Sequence, residues 1–356
     1  MAVIDSHRPS SLLHDAEPTS GWDFRIVRLR SAGRLVVNPV VMRAGPVVAI
    51  LTVVASIVGG VSAWSPAVPS WTLAVALAAL ALGVPHGAVD HVAISTASST
   101  AARLVGRTMY LGAAVAAALF ILRVPGVAFV AVLLMSVWHF GTGDVEAAAD
   151  LTDREKHRRP VRVLQVLALG SAPVVLPLTS PSAVTTVALI NPGLAQVLTP
   201  NVSFGARLAV FGLIILTLGL LLRAGDRRGA GELTLLAVLS VVASPIIAFA
   251  VYFAAWHALR HTARLAMSEN GDVHLADLAR TFAAGLPALV VTAALAAVCV
   301  VTLHGSETLG TWLWIGLAMV WGLTVPHMIT VARFDGVRRR QRHASARRSA
   351  ASRTAQ

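Results

Sequence analysis

FAAWHALRHTAR, residues 253–264, sets two histidines, His257 and His261, four residues apart in an otherwise apolar run. On a helix that spacing puts both imidazoles on one face, one turn apart, where they can grip a single metal ion. The run extends over residues 247–267, near the length that crosses about 30 Å of hydrocarbon. Three further histidines occupy similar settings: His86 in GVPHGAVDH, His139 in SVWHFGTGD and His327 in TVPHMITVARFD. Polar side chains are costly in such segments, so both fold and function turn on what these five share.

Of 356 residues, 56% are hydrophobic and 13% charged, and the mean hydropathy is +0.73. A soluble domain carries about 25% charged residues, so the composition predicts an all-α, polytopic transmembrane helix bundle with buried histidines. Much of the net charge of +12 lies after His327, in Arg333, Arg338, Arg339, Arg340, Arg342, Arg347, Arg348 and Arg353. Beside membrane spans such a tail marks the cytoplasmic face and anionic lipid headgroups rather than nucleic acid. The single cysteine, Cys299, excludes an intrachain disulfide. The first residues lack an early apolar core and carry acids, which argues against a cleavable signal peptide. The expected organisation is a mobile cytoplasmic arm over residues 1–40, a transmembrane helical catalytic domain over 41–335, and a basic, disordered cytoplasmic tail over 336–356.

Apolar runs fall near residues 44–64, 70–93, 106–123, 125–147, 161–178, 205–223, 232–245, 247–267, 284–303 and 310–331, which makes ten candidate spans. Ser244-Pro245 is a turn between two of them or a kink within one. Ten spans place the arm, Arg103 and Arg107, the loop around Arg158, Arg227 and Arg228, Arg280 and the tail all inside, as the positive-inside rule asks. The uncharged connection 179–204 then falls outside, and both termini are cytoplasmic in a multi-pass cell-membrane protein. In this topology the segments bearing His86, His139, the His257/His261 pair and His327 all run from outside to inside, and the histidines fall at similar depth. They can converge on one buried site. GVPHG and TVPHM each place proline directly before histidine, where it frees carbonyls and kinks a helix.

A single histidine in a bundle often just bridges helices by a hydrogen bond worth about 0.6 to 2 kcal/mol. Several at one depth point instead to a shared partner. His91 lies nearer the cytoplasmic end and faces headgroups on this reading, while His7, His14, His157, His274, His304 and His343 fall in polar arms or connections. Asp90 and Asp144 follow His86 and His139 by four and five residues. They are candidates for carboxylates that accept the far N–H of a metal-bound imidazole, or for partners of Arg107, Arg260 and Arg264 at the helix ends. Trp138, Phe140, Phe253 and Trp256 flank the histidines and are candidates to wall an apolar cavity. An all-imidazole set suits Zn, Cu or Fe, and the Ala-Leu-Arg between His257 and His261 lacks the glutamate a zinc hydrolase of the HExxH type needs. Imidazoles on Fe(II) beside an apolar pocket suit oxidation of a lipid-soluble substrate by dioxygen. A haem-binding electron-transfer protein and a transporter with a histidine relay are the rival readings.

In order and approximate spacing, GVPHGAVDH, WHFGTGD, WHALRHT and TVPHM resemble the motifs of the Brp/Blh family of membrane β-carotene 15,15'-dioxygenases, from about Gly83 to Asp335. The resemblance implies an Fe(II) enzyme that uses O2 to cleave the central double bond of β-carotene into two all-trans-retinal molecules. It also implies iron ligands at His86, His139, His257 and His261, support from His327, Asp90 and Asp144, and a rhodopsin apoprotein as a recipient of retinal. GTGD, after Phe140, is less bulky than the family leads one to expect.

Overall fold

In the computed structural model, residues 35–60, 70–88, 90, 99–152, 154, 156–268, 270–304 and 309–354 are described, and they are helical nearly throughout. Among the described residues six helices are long and apolar enough to cross a membrane. Chain order gives α1 (Asn38–Gly59), α2 (Ser70–Gly83), α3 (Pro85–Ala88), α4 (Thr100–Arg123), α5 (Pro125–Thr152), α6 (Arg159–Val174), α7 (Pro181–Ile190), α8 (Pro200–Arg223) and α9 (Arg227–Val242). The rod α10 joins Pro245–Val251, a π-helical stretch Tyr252–Ala258 and Leu259–Ala266, and α11 (Leu275–His304) and α12 (Leu309–Thr354) follow.

Helix ends follow local chemistry. Proline stands in the first turns of α1, α6, α7 and α8, where its missing N–H is no loss. Ser99, Thr199 and Asp226 accept from backbone amides to cap α4, α8 and α9. Gly60, at φ 65°, closes α1 in the left-handed conformation that glycine reaches without strain. Ser244-Pro245 is a break, since α9 ends at Val242 and α10 starts at Pro245.

The expected spans overlap helices where they are described, 70–93 being divided between α2 and α3 and both it and 44–64 running past the described residues. Among the described residues only α1, α4, α5, α8, α11 and α12 have the length and hydropathy to cross a membrane by themselves. The α6 and α9 helices have 16 residues each, and α2 has 14. Hydropathy runs through turns and so overstates helix length, because a loop packed inside protein is as apolar as a helix. Connection 179–204 folds as α7 and a single turn, Pro192–Ala195. Its Ala183, Val187, Leu194 and Leu198 pack on Phe129 of α5 and beside Trp314 and Trp321 of α12.

Two further expectations differ from the structure at the ends of the described chain. The arm expected to be mobile to Val40 is held from Leu35 onward: Val37 N–H donates to Val273 O at 2.8 Å, and Asn38 bonds both Gly271 O and Val273 N–H. Residues 1–34 lie outside the described residues, as does His91. The Arg-rich tail expected to be disordered continues α12 as helix to Thr354. Arginine, alanine and glutamine favour helix, and no proline interrupts them.

Apolar side chains face in two directions. Val137, Phe140, Leu169, Leu233, Leu236, Leu239, Tyr252 and Trp256 form the main core between α5, α6, α9 and α10. Val58, Met109, Ile215 and Val290 stand outward on α1, α4, α8 and α11, the exterior of a protein solvated by lipid. At Gly141 and Gly170 a Cβ would strike the opposing backbone, so α5 and α6 touch along their main chains. Ion pairs gather at one end of the bundle, joining Glu146 to Lys156 and Arg162, His157 to Asp226, and Arg264 to Asp150 and Asp335.

Candidate metal centre

The five intramembrane histidines lie together. His86, His139, His257, His261 and His327 are all buried, and neighbouring rings sit 5.1 to 6.2 Å apart between centroids. Ring nitrogens of His86, His139 and His257, one from each, come within 4.8 Å of one another, close enough to share a single ion.

Each arrives by a different local device. Gly83 ends α2 against the Phe253 ring, and Pro85 starts the short α3, so the chain turns where His86 begins. His86 Nδ1–H donates to Gly83 O, leaving Nε2 for the cluster. Gly285 of α11 lets Pro85 approach backbone to backbone. His139 projects from the middle of α5, and His327 follows Pro326, which α12 accommodates without breaking. His257 lies in the last turn of the π-helical stretch, a local widening of a kind often found at functional sites, and its ring stacks on His261 at 6.2 Å.

The glycines of GTGD explain its small size. Gly141 admits the α6 backbone, and a Cβ on Gly143 would fall 2.7 Å from His257 Cε1. Asp144 then lies beside the same histidine, with Oδ1 3.6 Å from His257 Nδ1, while its Oδ2 accepts from Tyr252 O–H at 3.0 Å. Asp90 approaches His327 rather than His86: its Oδ2 takes His327 Nδ1–H at 2.9 Å and Tyr110 O–H at 3.0 Å. Arg260 and Arg264 are engaged elsewhere. Arg260 bonds Glu232 and lies over Trp256, and Arg264 bonds Asp150 at 2.8 Å and Asp335 at 2.6 Å.

Of the four flanking aromatics, Phe140 stands edge-on to His257 at 4.6 Å and Phe253 edge-on to His86 at 5.2 Å. Phe249 stacks on Phe253, completing an apolar wall on one side of the histidines. Trp138 instead is half exposed toward the exterior, and Trp256 is buried beneath Arg260, so neither walls the cluster. His157, expected in a polar connection, pairs with Asp226 at 3.0 Å. Sequence reasoning missed Tyr110 and Tyr252. The available signal was scarcity: the chain has only two tyrosines, and a phenol in an apolar span needs a buried acceptor.

Buried atoms lacking a protein partner include His139 Nε2, His257 Nε2, His261 Nδ1 and His327 Nε2. His86, His139 and His257 bring their nitrogens close enough for one ion, and His261 and His327 adjoin them by their rings without joining that close group. Unpartnered buried imidazole nitrogens with carboxylates beside His257 and His327 fit a divalent metal. The family model described as beta-carotene 15,15'-dioxygenase matches residues 77–335, from α2 through Asp335. The chain belongs to the beta-carotene 15,15'-dioxygenase family. It is 31% identical over 293 residues to a protein of Halobacterium salinarum named probable beta-carotene 15,15'-dioxygenase Blh, an alignment spanning 73% of this chain and 83% of that one. The matched region contains all five clustered histidines, both aspartates and both tyrosines. No solved structure matches the chain.

Proposed function

We propose that this membrane protein is an iron-dependent dioxygenase that cleaves the central 15,15' double bond of β-carotene with O2 to give two all-trans-retinal molecules. The observation that carries this reading is the buried histidine cluster, with three ligating nitrogens within 4.8 Å, in a chain of this family. His86, His139, His257 and His261 would hold Fe(II). Bound there, the metal supplies activation of dioxygen, which neutral imidazoles with open positions suit. Phe140, Phe249 and Phe253 offer the polyene an apolar face and keep water from the histidines. Positioning of the central double bond sets regioselectivity, and no side chain need move a proton.

The lipid-soluble substrate would arrive from the bilayer and retinal leave by it, with a rhodopsin apoprotein as one recipient. In our reading α1 to α12 cross the membrane ten times with both termini cytoplasmic, so the ionic end of the bundle faces the cytoplasm. Haem fits the cluster poorly, because rings 5.1 to 5.7 Å apart and mostly edge to face leave no slot for a macrocycle.

The test is expression of wild type and His257→Ala in cells that accumulate β-carotene, followed by chromatography of extracted pigment. Retinal with loss of orange colour in the wild type alone is the expected result. Unchanged carotene with membrane expression and iron supply confirmed would overturn the assignment.

A further inference from the structure

The two tyrosines of this chain stand in the same relation to the histidine cluster. Tyr110 donates to Asp90 Oδ2 at 3.0 Å, and Tyr252 donates to Asp144 Oδ2 at 3.0 Å. Each aspartate faces Nδ1 of one clustered histidine, Asp90 that of His327 at 2.9 Å and Asp144 that of His257 at 3.6 Å. The shorter separation is a hydrogen bond; the longer is a close approach of two buried atoms, neither of which bonds another protein group. At His327 the carboxylate accepts, so Nδ1 carries the proton and the lone pair sits on Nε2; at His257 an Nδ1–H turned toward Asp144 would leave the same lone pair free. In both residues Nε2 is buried without a protein partner.

The His327 ring lies 5.1 Å from that of His139 and 5.3 Å from that of His86, as near as the other members lie to one another. We infer that Tyr110 and Tyr252 are positioning residues of one metal centre, each orienting a ligand through an aspartate, and that His327 ligates alongside His257. This rests on the iron reading above.

Charge supports the pairing. Asp90 and Asp144 are buried, and among the described residues no arginine or lysine pairs with either. Arg260 and Arg264, one turn apart on α10, are committed to Glu232 and to Asp150 with Asp335. Two buried carboxylates without a fixed cation are costly, and a dication on the far side of the two imidazoles balances both. A role confined to helix bridging would require neither the repeated tyrosine nor the missing cation.

The experiment uses the full chain purified in detergent, stripped of metal and titrated with Fe(II), with the visible spectrum of the Co(II)-loaded protein as a second readout. His327→Gln, Tyr110→Phe and Tyr252→Phe are compared with wild type, with melting of the stripped protein as the folding control. Expected is a 10- to 100-fold weaker Kd for Fe(II) in each phenylalanine variant, a larger loss in His327→Gln, and shifted Co(II) bands in all three. A structural hydrogen bond alone would lower melting and leave the bands in place. Wild type that binds iron while His327→Gln and Tyr110→Phe match it in Kd and spectrum would overturn the inference and leave the iron reading standing. Wild type that binds no iron overturns both. Should His327→Gln fail to fold, Tyr110→Phe, which keeps its ring, decides.

Discussion

Gly143 leaves the space that the His257 imidazole fills, and the one atom it lacks is the one that would collide. Gly143→Ala is expected to push the ring off its position while leaving the helix intact, since alanine favours helix. Misplacing a reacting group by about 1 Å costs on the order of 100-fold in rate. Retinal formation should therefore fall about 100-fold with little change in the melting temperature of the stripped protein. The sequence displayed the histidines and both aspartates openly, because polar atoms stand out against apolar runs. It did not show that Asp90 serves His327 rather than His86, since that pairing joins residues 237 positions apart. Nor did it mark the tyrosines, whose meaning lies in the acceptor opposite.

Helices α5, α10 and α12 bring His139, the His257/His261 pair and His327 to the cluster, and Arg264 ties the same three together. Its guanidinium bonds Asp150 at the end of α5 and Asp335 on α12, all three side chains being buried. Removing one partner of a buried ionic group leaves the rest uncompensated, at about 3 to 5 kcal/mol. Arg264→Met should lower stability by about that amount, read as a large drop in melting temperature in detergent. Adding Asp150→Asn and Asp335→Asn to it should recover much of the loss. Spacing alone makes Arg264 a candidate partner of Asp144, whereas packing gives it to Asp150 and Asp335. The π-helical stretch lay beyond the sequence too, because one extra residue per turn leaves no compositional trace.

For the whole molecule, the lipid-facing exterior and the ionic end make separate predictions. Outward Val58, Met109, Ile215 and Val290 should keep the chain in membranes through an alkaline carbonate wash, as followed by immunoblot of pellet and supernatant. At the ionic end, burial pushes the Asp226 carboxyl up, but the Gly229 amide, the His157 imidazole and the Arg154 guanidinium outweigh it and hold it below the ordinary range. Its folded value lies below its unfolded value, so its contribution to stability is full well above about pH 4 and is lost as pH falls through the folded value. Melting of wild type between pH 3 and 7 should show that loss at the acid end, and Asp226→Asn should show less of it.

By itself the sequence determined the solvent and which polar side chains need a reason to lie in it. Long apolar runs demand helices in lipid because every backbone group must be satisfied within the chain, and histidines kept in such runs at one depth demand a common partner. Only the tertiary structure decided which runs are long enough to cross alone, which side chains meet, and in what order an imidazole, a carboxylate and a phenol line up. The physical reason is range. Hydropathy and periodicity are local properties of a segment, whereas Asp90 meets His327, and Arg264 meets Asp335, only because the packing of α4, α5, α10 and α12 brings distant residues within about 3 Å.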